Sequence, residues 1–255
     1  MSNQAPPSLV VYCHCANTDL VPDEKRRRAL QALAGAGVRV EAVPDLCGLA
    51  ARRDPRLVAW FGGGPVLVVA CYPRTIRWLL QYAGVSPLAH LTFVNLRNEP
   101  AEAVQAALPR ASESTAAQVQ APARDANQWI PWFPVIDYDR CTQCRQCLSF
   151  CPFGVYELDS GRVAVRNPAN CKNNCPACAR ICPQVAIVFP KVKDSPINGN
   201  EVTQEDVARQ RKSAVEGETD LHALLARRRL KAAAGRFARN VGQPGAGAAG
   251  APEKT

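Results

Sequence analysis

Nowhere in the 255 residues do about 18 apolar side chains run together, the length a membrane-crossing helix needs. The opening stretch, MSNQAPPSLVVYCHC, has no basic n-region and no A-x-A-like cleavage site, so a cytoplasmic location is expected. No G-x-G-x-x-G follows a strand-like run. The only dense glycine run, FGGGP (61–65), precedes one and reads as a turn, so neither a flavin nor an NAD site is expected. A Walker motif and a G-x-S-x-G elbow are also missing, and no general acid, base and nucleophile form a convincing set. The chain therefore does not read as a stand-alone enzyme.

What is present in abundance is cysteine, twelve residues of it. Without an export signal a disulfide framework is disfavoured, because the cytosol keeps thiols reduced. Metal ligation or redox chemistry is the better expectation. With 47% hydrophobic and 21% charged residues, the chain can build a sizeable soluble core. The formal charge of +9 counts every cysteine as neutral. Cysteines ligating a metal as thiolates would lower it.

Strand-like and helix-like runs alternate from Leu9 to about Ala111. LVVYC (9–13), VRVEAV (38–43), PVLVVACY (65–72) and LTFVNL (91–96) read as strands. DEKRRRALQALAGAG (23–37), GLAARRDPRLVAWF (48–61, interrupted by Pro55), PRTIRWLLQYAG (73–84) and EPAEAVQAALPR (99–110) read as helical. This predicts an α/β portion over 1–111, a parallel sheet sandwiched by helices in a flavodoxin- or Rossmann-like three-layer arrangement. Residues 112–128 read as a linker. Residues 129–193 carry short strand-like runs, PVID (134–137), VAV (163–165) and AIVF (186–189), among clustered cysteines, and predict a small α+β domain. Residues 194–255 form a polar, basic tail with helical character over 203–240 and a disordered Gly/Ala/Pro end. The run ARRRLK (226–231), with Arg236 and Arg239, suits an acidic partner or a solvated helix face better than nucleic acid, since only Phe237 interleaves the charges.

Cys141, Cys144, Cys147 and Cys151-Pro152 follow C-x2-C-x2-C-x3-C-P. A second set, Cys171, Cys175, Cys178 and Cys182-Pro183, repeats it about 31 residues later with one extra residue after the first cysteine. Three close cysteines can wrap one face of a cubane. The fourth lies beyond that reach and is redirected by proline, so it serves the other cluster. The expected ligand sets are Cys141, Cys144, Cys147 and Cys182 for cluster 1, and Cys171, Cys175, Cys178 and Cys151 for cluster 2. Structural zinc, with its two C-x2-C pairs, fits this spacing poorly.

From about Val135 to Lys191 the chain resembles the dicluster ferredoxin family, which implies two [4Fe–4S] clusters and electron transfer. The wider second motif (Lys172, Asn173, Asn174) is expected to bulge, since Asn tolerates left-handed backbone. Pro176 removes one N–H near cluster 2 and is expected to lower its potential. Phe150, Phe153, Tyr156 and Phe189 read as packing around the cysteines.

Cys13, Cys15, Cys47 and Cys71 remain. Cys13 and Cys15 are read at the end of the first strand, Cys47 in the loop after the second and Cys71 at the end of the third, on the sheet rim where open α/β folds bind ligands. They are a candidate third site, for a cluster or for thiol/disulfide chemistry; separate burial is the plain alternative. His14, between two of them, is either a ligand or a strand-end histidine. VVYCHC, DLC, VVACYPRT and FVNLRNE resemble the N-terminal domain of the flavin-bearing subunit of heterodisulfide reductase and, more loosely, a small hydrogenase delta-subunit domain, over about residues 9–100. That resemblance implies an electron-transfer role for the four cysteines. Two departures are Tyr72, where a small residue is typical, and the absence of a glycine after Cys15.

The expected function is relay of single electrons to or from a redox partner protein. The alternatives are a thiol/disulfide oxidoreductase acting at the N-terminal rim and an interaction protein stapled by clusters.

Overall fold

The computed structural model describes residues 6–109, 119–123 and 129–213. Most of the expected linker, the ARRRLK run with Arg236 and Arg239, and the Gly/Ala/Pro-rich end lie outside the described residues.

Four parallel strands form the N-terminal sheet: β1 (Leu9–Cys13), β2 (Arg39–Val43), β3 (Val66–Ala70) and β4 (Leu91–Asn95), in the order β2-β1-β3-β4. Helices α1 (Asp23–Ala34), α2 (Leu46–Ala51), α3 (Pro55–Phe61), α4 (Pro73–Tyr82) and α5 (Glu102–Ala107) connect and cover them. Side chains alternate across the pleat. Val10, Tyr12, Leu67 and Val69 pack with Ala29, Leu33 and Val104 from α1 and α5. Val11, Cys13, Val68 and Ala70 face the other way, toward α2, α3 and α4.

The expected helix over 48–61 is two helices. Asp45 caps α2, accepting a hydrogen bond from Cys47 N, and Asp54 caps α3 through Arg56 N. Pro55 opens α3 rather than interrupting a longer helix, because the first helical position leaves its N–H free of any partner anyway. Cys47 consequently lies in the first turn of α2 and not in a loop.

The cysteine-rich portion contains β5 (Val135–Ile136), α6 (Gln146–Phe150), β6 (Tyr156–Asp159), β7 (Arg162–Val165), α7 (Ala177–Arg180) and β8 (Ile187–Val188). β5 pairs antiparallel with β8, and β6 with β7. The 31-residue repeat persists in the backbone. Gln143 and Asn174 are both left-handed (φ 57 and 61), as are Gly154 and Val185 (φ 65 and 52), and α7 repeats the position of α6.

Residues through Arg211 form one compact unit. Trp132, Phe133, Val135, Val188 and Phe189 share a core with the α4 face of the sheet. Buried polar ties reinforce it. Arg74 of α4 pairs with Asp137 at 2.6 Å and donates to Val185 O, and Thr75 Oγ1 donates to Asn198 O at 3.0 Å. A helix starting at Gln204 opens on a reciprocal cap between Thr203 and Asp206.

Candidate metal centres

Each cysteine motif is a loop leading into a short helix. Cys141 follows β5, its N–H bonded to Asp137 O, and Cys147 lies on α6. Left-handed residues Gln143 and Arg145 (φ 57 and 64) turn the chain tightly enough to bring successive cysteines to one side. In the second motif Asn174 (φ 61) is left-handed like its repeat-mate Gln143, and Cys175 N bonds Lys172 O.

Cys182, the last cysteine of the second motif, lies with the first three of the other. Cys141, Cys144, Cys147 and Cys182 line one cavity, closed on its remaining sides chiefly by Ile136, Val163, Ala186 and Ile187. Burial raises the Cys141 thiol, and Cys182 and Cys144 add to that rise. Burial also pushes Cys147 up to about 12, with Cys182 the strongest neighbouring thiol. The second group is complementary. Cys171 rises to about 12 through burial, Cys175 and Cys151. Cys178 rises to about 12 through burial, offset by the Tyr156 hydroxyl, with Cys171, Cys151 and Cys175 as its neighbours. Cys182 thus lies with the cysteines of the first motif, and Cys151 is a neighbour of Cys171 and Cys178 of the second.

The surroundings suit sulfur ligands. Ala186 N donates to Cys182 Sγ at 3.3 Å, Gln143 Nε2 to Cys141 Sγ at 3.4 Å, and the buried Tyr156 hydroxyl to Cys178 Sγ at 3.0 Å. Donors of this kind stabilise thiolate charge, and the apolar walls limit water, which together set a cluster's potential. Among the described residues no three His, Cys, Asp or Glu side chains close on a single ion. A cubane, whose irons occupy separate corners, holds its four ligands farther apart than one ion does. The donor type, the cavity and the paired sets fit such a cluster.

The comparison with a known family falls on this region. Residues 133–156 match the family described as 4Fe-4S binding domain. A ferredoxin of Methanothermococcus thermolithotrophicus is 37% identical over 54 residues, which are 20% of this chain and 88% of that protein. The chain belongs to the ferredoxins. An uncharacterized ferredoxin of Methanocaldococcus jannaschii is 49% identical over 65 residues, but these are 25% of this chain and only 44% of that protein. Ferredoxin-3 of a Nostoc species is 34% identical over 77 residues, covering 78% of its length. The likeness thus concerns about a quarter of this ferredoxin. No helix among the described residues is long and apolar enough to cross a membrane.

The four N-terminal cysteines gather at the carboxyl edge of the sheet. Cys13 Sγ is 3.6 Å from Cys15 Sγ and accepts from Leu46 N at 3.3 Å. Cys13 is raised by its bond to Cys15 and by burial, and Cys47 by burial, with Cys71 and Cys13 among its neighbours. Burial pushes Cys71 up to about 12, and Cys13 is the next cause. His14 turns instead to Tyr12, its Nδ1 2.9 Å from the hydroxyl, and lines a groove with α1.

Two features escaped the sequence reading. Lys191 reaches from the segment after β8 into the N-terminal rim and pairs with Asp45 at 2.7 Å. Arg97 binds the carbonyls of Pro190 and Val192 on either side of it and stacks over Tyr72. The partners are far apart in sequence, and no local pattern marks them. Phe150 and Phe153 also depart from the expected packing: they are 48% and 39% exposed, whereas Tyr156 and Phe189 are buried. α6 is short, and no residue along it is buried, so its last side chain has no core to enter.

Proposed function

We propose that this ferredoxin relays single electrons through two [4Fe–4S] clusters, one held by Cys141, Cys144, Cys147 and Cys182 and the other by Cys171, Cys175, Cys178 and Cys151. The observation that carries this reading is the cavity in which Cys182 joins the three cysteines of the first motif. Bound there, the clusters supply reversible one-electron redox capacity at little reorganisation cost. The chain's own residues position the thiolates, donate to Cys141, Cys178 and Cys182, and keep the sites dry. Its partner is a redox protein in a reducing, cytoplasmic setting. Anaerobic iron and sulfide counting with EPR tests the reading. About eight irons and two interacting reduced signals support it, and a zinc-only preparation would sink it.

A second reading concerns Cys13, Cys15, Cys47 and Cys71. Their convergence supports a third redox site, either a further cluster or a thiol/disulfide pair, in an α/β domain related to the N-terminal domain of the flavin-bearing subunit of heterodisulfide reductase. An iron count near twelve selects a third cubane. Turnover of a disulfide substrate, lost on Cys13→Ala or Cys71→Ala, selects the thiol chemistry.

A further inference from the structure

The face over the two cysteine loops differs in charge from the rest of the molecule. Residues 140–156 and 160–193 contain no Asp or Glu at all, although the chain has 22. Arg145, just before α6, and Lys172, just after Cys171, are exposed, and among the described residues neither has an ion-pair partner. Three other cations of these segments are engaged: Arg166 pairs with Asp159, Arg180 with Asp194, and Arg162 stacks over Tyr138. Arg145 leads into an apolar strip. α6 buries no residue, Phe150 closes it at 48% exposure, and Phe153 follows at 39%, the pair bracketing Cys151 and the exposed Pro152. Cys151, between the two phenylalanines, has Cys171, next to Lys172, as an electrostatic neighbour.

We propose that this face is the docking surface for an acidic redox protein, with Phe150 and Phe153 as apolar anchors and Arg145 and Lys172 as steering charges. The proposal rests on the electron-carrier reading and names the partner class for the same site. Paired exposed phenyl rings are costly to leave in water and mark an interaction site when rimmed by polar residues. Unpaired charges of one sign at the rim steer a partner of the opposite sign. Two other occupants are disfavoured by charge. A second copy of the chain would bring like charges face to face, and the chain's own ARRRLK run is cationic as well. An acidic surface with a hydrophobic recess satisfies both parts of the strip. Close approach here also brings the partner against the chain that carries Cys151 and Cys171, a short route for an electron.

The experiment uses the full chain, reduced anaerobically with dithionite and reoxidised in a stopped-flow cell. The probes are anionic anthraquinone-2,6-disulfonate and cationic hexaammineruthenium(III). Oxidation by the anion is expected to slow as salt rises. Arg145→Glu combined with Lys172→Glu should slow it about tenfold and speed oxidation by the cation. Poly-L-glutamate should block the wild type and not this variant. A random glutamate–tyrosine copolymer should block more strongly, and Phe150→Ser with Phe153→Ser should remove only that extra strength. Equal salt slopes for both probes, with the charge variant matching the wild type, would overturn the docking face while leaving the electron carrier standing. An extra block that survives the double Phe variant overturns the anchor role. A chain that shows no reversible bleaching of its visible absorption overturns the carrier reading and this proposal together. The visible spectrum of each variant reports intact cluster content, which separates lost docking from lost folding.

Discussion

Lys191 Nζ lies 2.7 Å from the Asp45 carboxylate, and both side chains are only 6% exposed. The lysine belongs to the cysteine-rich portion and the aspartate to the rim of the α/β sheet, where its other oxygen caps α2 at Cys47 N. Burial alone would lower the lysine's pKa, but Cys47 and Asp45 more than offset this, so the ammonium stays charged. Asn17 completes the carboxylate's partners with a 2.8 Å hydrogen bond.

Removing one member of such a pair leaves the other buried and uncompensated. Lys191→Met is expected to destabilise the protein by about 3–5 kcal/mol. Lys191→Met with Asp45→Asn should recover most of that, because an amide still caps α2 and buries no charge. Anaerobic thermal unfolding of the four proteins in the cycle checks it. Purely additive losses would mean that the pair does not act as a unit.

Gly199 has φ +97, and a Cβ there would collide with Thr75 Oγ1 and Cβ. Gly199→Ala is expected to cost about 1–3 kcal/mol through backbone strain and overpacking against α4. Gly63→Ala meets nothing within 4 Å and is the matched control, expected within about 0.5 kcal/mol of wild type. Thermal midpoints of both variants decide whether the contact between α4 and the 194–200 segment is as tight as its geometry.

The cluster-free chain should lose stability as pH rises. Cys71, Cys147, Cys171 and Cys178 move from 9.0 to about 12 on folding, mainly through burial. A thiol with a raised folded pKa keeps its full contribution below 9.0 and loses it as pH climbs toward 12, because the unfolded chain gives up protons first. The urea midpoint of apo-protein is therefore expected to fall between pH 9 and pH 12, the span of those shifts. Reconstitution with iron and sulfide releases the same protons, so loading should improve as pH approaches the thiols' range.

Crossed pairing predicts which serine variants resemble each other. Cys182→Ser should alter the same EPR signal as Cys141→Ser, although it sits in the second motif. Cys151→Ser should likewise match Cys171→Ser. If Cys182→Ser instead grouped with Cys171→Ser, the two sets of four would be wrongly drawn.

The parallel sheet was legible because Leu9–Cys13 and Val66–Ala70 are apolar throughout and are followed by helical periodicity. Proline marked boundaries at Pro73 and at Pro55, where one helix ends and the next begins after three intervening residues. The β6–β7 hairpin went half seen. Its first strand, YELD, alternates but is only four residues long and exposes three of them, Leu158 included, while the Ser160-Gly161 turn has both residues at positive φ. The grouping of Cys182 with the first motif followed from spacing and proline. The Lys191–Asp45 and Arg74–Asp137 pairs did not, because each joins residues more than 60 positions apart, and nothing local to a lysine or an arginine says that it will be buried.

The shared core beneath α4 limits how this protein can be cut. A fragment beginning at residue 129 would keep all eight ferredoxin cysteines, yet it would uncover Trp132, Phe133 and Phe189 and strand Lys191 and Asp137 without their counter-ions. The ferredoxin half behaves as one side of a sandwich and not as a detachable cartridge.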